Sequence, residues 1–476
     1  MKLLLFGTGD YYNRYKKWFV HQDILALLDN SEQKQYTLID GIKVLPPVEG
    51  VKLCYEAVVI LSFYVKAMKQ QLVSLGVARN NIYHFFDLRR LFVQDITKIV
   101  RYYPRQYFPS TKDCVEDKNI SSKILLMSQD MTLGGPAIAL FHAAVILKKQ
   151  GYDVWFASML DGPLRTKLTE IDVPVVVDVS LQIAVMKETD WVAAFSLIVC
   201  NTMNFHVFLS ERDTRIPVLW WLHDAPFFYE GVSREVIGKI SLENLNVVSV
   251  GRVPREAVKR YLPNLSCGEL LYGVADTVYN KAYKERSNSI IRFVTIGFLE
   301  DIKGQDILIE AVRMLPVSVR RQCCFYFIGH KETLFGEKLQ RDSYDIREII
   351  FTGSVDRIKI HELLDASDVL ICPSRQDSMP TVVAEAMMHA LPCIVSNITG
   401  TATYICDGVD GIIFQSESVF ALAQKIQWCV ENKSDLQIIG KKARDIYEHI
   451  FSIQAFEGNL LKIVQNILEK NKDEVR

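Results

Sequence analysis

The sequence predicts an α/β protein built from Rossmann-like units, and three observations predict it. Short β-branched runs alternate with amphipathic stretches along most of the chain, the pattern of a doubly wound sheet. That alternation restarts three times, near residues 2, 122 and 290. The length of 476 residues exceeds what one hydrophobic core supports, so two to three domains are expected.

The first unit opens on "KLLLFGTGD", continues with "YEAVVILS" near residue 55 and ends about "IYHFFDL". Its opening strand carries Gly7 and Gly9, but Tyr12 stands where a dinucleotide fingerprint would have a third glycine. Tight strand-to-helix packing alone would explain both glycines. The second unit opens on "SKILLMSQDMTLGGPAIALFHAAVILKKQGYDVWFAS" and runs through strands ending at Cys200, Leu222 and Val250. There Gly134 and Gly135 directly precede an amphipathic helix, with Pro136 suited to its first turn. The glycines let a ligand approach the backbone, although a bare glycine turn has the same spacing. The third unit opens on "IIRFVTIGFLEDIKGQDILIEAV" and continues with "CFYFIG", "IIFTG", "DVLICPS", "PCIVSN" and "DGIIF". Lys303 and Gly304 fall at the start of its first helix, where free amides and an ammonium suit a phosphate.

These restarts divide the chain into an accessory domain over residues 1–95, a linker over 96–120, an amino-terminal domain over 121–285, a carboxyl-terminal domain over 286–450 and a final amphipathic helix over 451–476. The linker holds Lys98, Arg101, Tyr102, Tyr103, Arg105 and Tyr107, which would suit either an anionic membrane surface or packing against a neighbouring domain. The polar stretch "ADTVYNKAYKERSNS" suits an interdomain hinge.

Bulk composition removes several classes of function. A net charge of −1 offers no basic field for nucleic acid. Ten cysteines without a CxxC pair argue against a zinc site or disulfide framework and suit a reducing cytosol. "MKLLLFGTGD" reads as a first strand, not a signal peptide, and no run is long and apolar enough to span a bilayer. The expected location is cytoplasmic, with a peripheral contact at the inner face of the cell membrane left open.

The stretch "PSRQDSMPTVVAEAMMHALP" poses the chemical question, because its nearly apolar helix carries Glu385 while Asp377 lies eight positions upstream. A buried carboxylate needs a partner, water or a ligand. Asp377 follows a buried strand, so it lies at the ligand edge of the sheet, and Pro380 fits the first position of the helix. Val383, Met387 and Ala390 trace the core face, which points Glu385 towards a cleft edge. One ligand with hydroxyls at both ends and a diphosphate between them would satisfy Asp377, Lys303 and Glu385 together. That ligand is a nucleotide sugar.

On these residues the third unit resembles the donor domain of glycosyltransferase family 4, retaining enzymes of the GT-B fold. The family's acidic-x7-Glu motif matches Asp377 to Glu385, and its glycine-lysine-glycine segment matches "GFLEDIKG" with Gly297, Lys303 and Gly304. "DASDVLICPS" and "DGVDGIIF" match as well, while "LGGPAIAL" and "LWWLHDAPF" resemble the family's glycine loop and histidine segment. The resemblance covers roughly residues 121–470. It implies a GT-B fold of two Rossmann-like domains facing a cleft, preceded here by a small additional one. It also implies a metal-independent, retaining hexosyltransferase with no cofactor, using a nucleotide-diphosphate sugar on a glycan, lipid-linked glycan or glycoprotein in surface polysaccharide or glycoconjugate synthesis.

The implied roles follow residue by residue. Lys303 neutralises the diphosphate, Asp377 holds hydroxyls of the transferred sugar and Glu385 holds the ribose. The backbone of Ser378, Met379 and Thr381 approaches phosphates and sugar, Gly134 and Gly135 lie near the reacting centre, and His223 hydrogen-bonds the donor sugar. No metal ligand is implied. Three positions depart from the pattern: Phe298 stands where many members have arginine, Pro380 has no N–H to offer, and Thr403 replaces a common glutamate. Arg375 is the cation available in place of the missing arginine. The competing reading is an inert transferase-like subunit that binds acceptor or stabilises an active partner. A further reading makes the first unit an independent nucleotide-binding domain, against an accessory role in recognition or assembly.

Overall fold

A computed structural model describes residues 1–92, 105–109, 122–278, 290–330 and 333–475. Its contacts group the chain into two compact units. The first comprises Met1–Trp220, Pro226–Val247 and Ala257–Ser266, and the second comprises Trp221–Ala225, Val248–Glu256 and Cys267–Arg476. All three expected sheets form. Of the stretch read as a hinge, residues 279–289 lie outside the described residues, as do Lys98, Arg101, Tyr102 and Tyr103 of the expected linker.

The first unit begins with a six-stranded sheet in the order Leu38–Ile39, Ile42–Leu45, Asp23–Leu28, Lys2–Phe6, Ala57–Ile60, Ile82–His84. All neighbours are parallel except the short hairpin Leu38–Ile39 with Ile42–Leu45. The central strands read as unbroken apolar runs because helices cover both faces of a parallel sheet. An eight-stranded sheet follows, in the order Cys267–Glu269, Leu245–Ser249, Val218–Leu222, Leu197–Asn201, Lys123–Ser128, Asp153–Ser158, Val175–Val177, Gln106–Phe108.

Its last strand falls within the expected linker. Gln106–Phe108 pairs antiparallel with Val175–Val177, so this part of the linker is a sheet edge. Arg105 and Tyr107 are used for packing: the Arg105 guanidinium lies 5.2 Å from the Trp191 ring centre, and Tyr107 stacks on Trp155 at 5.5 Å.

The second unit holds a fully parallel six-stranded sheet in the order Ile349–Gly353, Cys323–Ile328, Ile291–Ile296, Val369–Cys372, Cys393–Ser396, Ile412–Phe414. Counted along the chain, this is strand order 3-2-1-4-5-6, with its switch point between Ile291–Ile296 and Val369–Cys372. The helices Gln305–Met314 and Val419–Glu431 bury Ile307, Leu308, Leu422 and Ile426 against one face. The chain closes with the helix Ile453–Val475, whose Phe456 stacks on Trp221 at 5.5 Å. Among the described residues no helix is long and apolar enough to cross a membrane.

Candidate functional site

The switch point of the second unit's sheet positions the first pair of side chains. In an open parallel sheet a crevice forms where the strand order reverses, beyond the carboxyl ends of the two central strands. From one strand the chain leaves through Gly297, at φ 151°, and reaches Lys303 in the short turn Asp301–Lys303. From the other it leaves through Pro373 and reaches Asp377. Lys303 Nζ lies 2.7 Å from Asp377 Oδ2, so the two loops meet in an ion pair. Gly304 is left-handed at φ 68°, and a Cβ there would sit 2.2 Å from the Pro373 carbonyl oxygen. Only glycine lets the two loops approach this closely. Burial works against the Lys303 charge, but Asp377 more than offsets it and holds the ammonium above its ordinary range.

Glu385 lies in the helix Thr381–Met388, which starts one residue later than expected, with Pro380 as its N-cap. The expected cleft-edge exposure of Glu385 is corrected: it is 2% exposed, and Val383 to Met388 are all buried. This helix is covered on every side, so apolar periodicity does not tell which way Glu385 points. Its Oε1 accepts a 2.7 Å hydrogen bond from Arg357 Nη2, while the buried Oε2 has no partner. Burial lifts the Glu385 carboxyl above the usual carboxylate range, and the Arg357 guanidinium opposes that shift.

Two neighbours escaped the sequence reading. Arg357 opens the helix Arg357–Ala366, capped by Asp356, and the next rung along the same helix pair joins His361 Nδ1 to His389 Nε2 at 3.0 Å. Both rungs span 28 residues, so matched i, i+4 pairs on two helices were the only signal in the sequence. Tyr272 is buried with an unpartnered hydroxyl. Burial, then the Asp377 and Glu385 charges, lift its phenol well above the ordinary value.

The loop Ser378 to Thr381 is anchored beside the pair, where Gly400 N–H donates to the Asp377 carbonyl at 3.0 Å. Ser378 and Met379 are buried and Thr381 is partly exposed. Arg375 does not take the place of the missing family arginine. It forms a bidentate pair with Asp306 at 2.8 and 2.7 Å, donates to the Asp301 carbonyl at 2.6 Å and lies 3.4 Å from Glu417. A guanidinium so surrounded by carboxylates braces the Lys303 loop. Phe298 is 62% exposed at the start of that loop.

His223 follows the strand Val218–Leu222 and packs on Trp221 with ring centres 4.6 Å apart. Trp221 is itself held by its indole N–H on the Leu270 carbonyl at 2.8 Å. The His223 Nε2 is buried without a partner, and burial lowers the imidazole to about 3, so the ring is neutral at physiological pH.

In the first unit, Gly134 caps the 15-residue helix Gly135–Lys149 and both glycines are exposed. Thr132 Oγ1 accepts from Gly134 N–H at 3.3 Å and donates to Asp130 Oδ1 at 2.7 Å, which shapes this loop from within. Of the two amino-terminal glycines only Gly7 has the packing role, since a Cβ on the exposed Gly9 would meet nothing within 4 Å. A Cβ on Gly7 would lie 2.7 Å from the Leu61 carbonyl, and Asp29 Oδ2 accepts from Thr8 N–H at 3.1 Å and from its hydroxyl. Asp29, the acid after the second strand, is therefore tied to the loop that follows the first strand.

With this geometry in hand, comparison with known proteins is specific. Residues 281–446 match the glycosyl transferases group 1 family and residues 120–247 match glycosyl-transferase family 4. The chain is a family 4 glycosyltransferase-fold protein, a member of group 1. Residues 1–83 match a C2185-like N-terminal family. The chain is 22% identical over 250 residues to an uncharacterised glycosyltransferase of Methanocaldococcus jannaschii, covering 51% of this chain and 63% of that one. It is 32% identical over 176 residues to the UDP-Gal:alpha-D-GlcNAc-diphosphoundecaprenol alpha-1,3-galactosyltransferase of Escherichia coli, covering 35% of this chain and 43% of that enzyme. The chain thus aligns with less than two thirds of either relative. The crystal structure of Anabaena HepE in complex with UDP and glucose superposes with a TM-score of 0.60 at 18% identity, over 72% of this chain and 100% of that one. The family 4 chain accordingly has the GT-B fold with an added amino-terminal α/β domain.

Proposed function

We propose that the chain is a retaining glycosyltransferase that moves a sugar from a nucleotide-diphosphate sugar to a hydroxyl of a glycan, lipid-linked glycan or glycoprotein, in surface polysaccharide or glycoconjugate synthesis. The observation that carries this reading is the Lys303–Asp377 ion pair at the switch point, where a sheet of this type binds its ligand. The related E. coli galactosyltransferase and the UDP- and glucose-bound Anabaena protein support a nucleotide sugar as the donor class.

In this mechanism Lys303 meets the charge of the departing diphosphate, and no metal is required. Asp377 positions the transferred sugar through its hydroxyls, and Glu385 accepts from the ribose. His223, its ring neutral and only partly exposed, hydrogen-bonds the donor sugar, while the backbone of Ser378 to Thr381 and the loop of Gly134 and Gly135 approach phosphates and reacting centre. The bond from the anomeric carbon to the leaving phosphate oxygen breaks as the acceptor oxygen attacks the same face. The acceptor proton passes to the leaving phosphate. The carboxylates act as positioners, and preorganised charge supplies most of the stabilisation. This differs from a retaining glycosidase, whose second carboxylate attacks the sugar. The reaction would run in the cytoplasm, at the membrane face if the acceptor is lipid-linked.

A second reading, an inert subunit that binds acceptor or stabilises an active partner, rests on the exposed Phe298 where many members have arginine and on the commitment of Arg375 to Asp306. One experiment separates the two. Binding and slow hydrolysis of a panel of nucleotide sugars are measured for the intact protein, Lys303→Ala and Glu385→Ala. The transferase reading expects one donor to be bound and hydrolysed, and both variants to lose it. A panel in which no donor binds, with variants matching the parent, would establish the inert reading instead.

A further inference from the structure

The amino-terminal domain has a Rossmann-like strand order, with its own switch point between Lys2–Phe6 and Ala57–Ile60. Ligands of such sheets sit beyond the strands' carboxyl ends, yet here the ends of Ala57–Ile60 and Ile82–His84 are covered by protein from the same unit. Phe63, just after the strand Ala57–Ile60, meets Phe228 edge-on at 4.3 Å and Phe227 at 5.9 Å. His84 ends the last strand, and Gly231 packs so closely on it that a Cβ would lie 2.2 Å from Nδ1. Phe86 meets His206 at 5.5 Å with perpendicular rings. Trp18 donates to Gln182 at 2.8 Å, Arg89 pairs with Glu188 at 2.8 and 3.0 Å, and Ile183 lies inside the amino-terminal domain's own hydrophobic cluster. On this side, the edge that would take a nucleotide is a docking face.

Arg14 extends that face to the glycine loop. Its Nη1 lies 3.5 Å from Oδ2 of Asp130, a carboxylate that is 6% exposed. The other oxygen of Asp130 accepts from Thr132 N–H at 3.1 Å and from its hydroxyl at 2.7 Å, and Thr132 Oγ1 accepts from Gly134 N–H. Arg14 also lies 5.5 Å from the Tyr11 ring centre and lines a cavity of about 10 Å³ with Gln129, Asn204 and His206, room for about one water. Meanwhile Phe227, Phe228 and Gly231 belong to the turn Pro226–Gly231, which follows His223 by only a few residues of chain.

We propose that the amino-terminal domain binds no nucleotide and instead positions the glycine loop, with Arg14 as a positioning residue acting through Asp130 and Thr132. This role deepens the transferase reading and rests on it for its catalytic consequence. A partly buried ion pair anchored by backbone hydrogen bonds ties one domain's geometry to another's loop, whereas a solvated surface pair would contribute almost nothing.

The test uses the full chain, Arg14→Gln and Arg14→Lys, with amide hydrogen exchange over residues 131–135 and donor hydrolysis read in parallel. Arg14→Gln is expected to exchange about three- to tenfold faster in that loop, the range of one partly buried ion pair, with its melting temperature close to the parent's. Its kcat for donor hydrolysis should fall by a similar factor with KM for the donor unchanged, and Arg14→Lys should recover part of both. Parent-like exchange in Arg14→Gln overturns the inference, as does UDP or NAD that protects the loop around Gly7 and Gly9 from exchange. If the parent hydrolyses no donor, the transferase reading fails while the exchange measurement still decides the positioning role.

Discussion

Arg357 Nη2 holds Glu385 Oε1 at 2.7 Å, joining a guanidinium that is 60% exposed to a carboxylate that is almost wholly buried. The asymmetry matters, because Arg357 sets the charge state of a residue that solvent cannot reach. Arg357→Ala should leave the carboxyl higher still above its usual range, since burial remains and the opposing charge is gone. Donor affinity measured across pH should rise through an inflection above the ordinary carboxylate range, and that inflection should lie at higher pH in this variant, with affinity at pH 7 lowered by about tenfold. An unchanged inflection would show that Arg357 does not tune the site.

The same pair predicts a stability effect with a definite sign. The folded-state pKa of Glu385 is raised, so the residue favours the fold below the ordinary carboxylate value, and that contribution is lost as pH rises through the raised one. Glu385→Gln removes the buried charge while leaving Arg357 well solvated. At pH 8 the variant should match or exceed the parent in stability by about 1 kcal/mol, although it no longer binds donor. The gain should vanish near pH 4. Urea unfolding at the two pH values reads this directly, and a variant destabilised at pH 8 would mean that Glu385 is a net structural asset.

Two neutral histidines make the first unit sensitive to acid. Burial lowers His84 to about 3 and His206 to about 4. A histidine with a lowered folded pKa contributes stability that is present above its ordinary value near 6.5 and lost as pH falls below it, because only the unfolded chain takes the proton. Each should contribute roughly 2 kcal/mol of lost stability between pH 7 and pH 5. Denaturant midpoints of the parent should fall over that interval, and His84→Gln should show a smaller fall. A flat profile refutes the assignment.

Gly304 joins the two loops of the donor site by close approach. Alanine there would meet the Pro373 carbonyl and occupy a left-handed conformation at φ 68°. We expect Gly304→Ala to lose about 2 kcal/mol or more of stability, with donor affinity falling because Lys303 and Asp377 are pushed apart. Full retention of donor binding would show that the loops tolerate the separation.

Much of the fold was legible because each strand is a short apolar run followed by a turn. Lys2–Phe6, Cys323–Ile328, Val369–Cys372 and Cys393–Ser396 fall where β-branched and apolar runs predict them. The edge strand Gln106–Phe108 was not legible. It is three residues long and mostly exposed, and its pairing with Val175–Val177 is what makes it a strand.

For the candidate site, the sequence by itself determined that Lys303 and Asp377 lie on loops leaving the same sheet edge. In a parallel α/β topology every strand's carboxyl end faces one way, so strand order and loop position suffice. Tertiary structure alone decided the partners. Arg357 reaches Glu385 only because two helices pack in register, Arg375 is captured by Asp306 across 69 residues, and Arg14 meets Asp130 across a domain junction. Local periodicity reports which residues are buried. Which charge lies opposite another depends on side-chain packing between distant elements, and no short stretch of this chain carries that information.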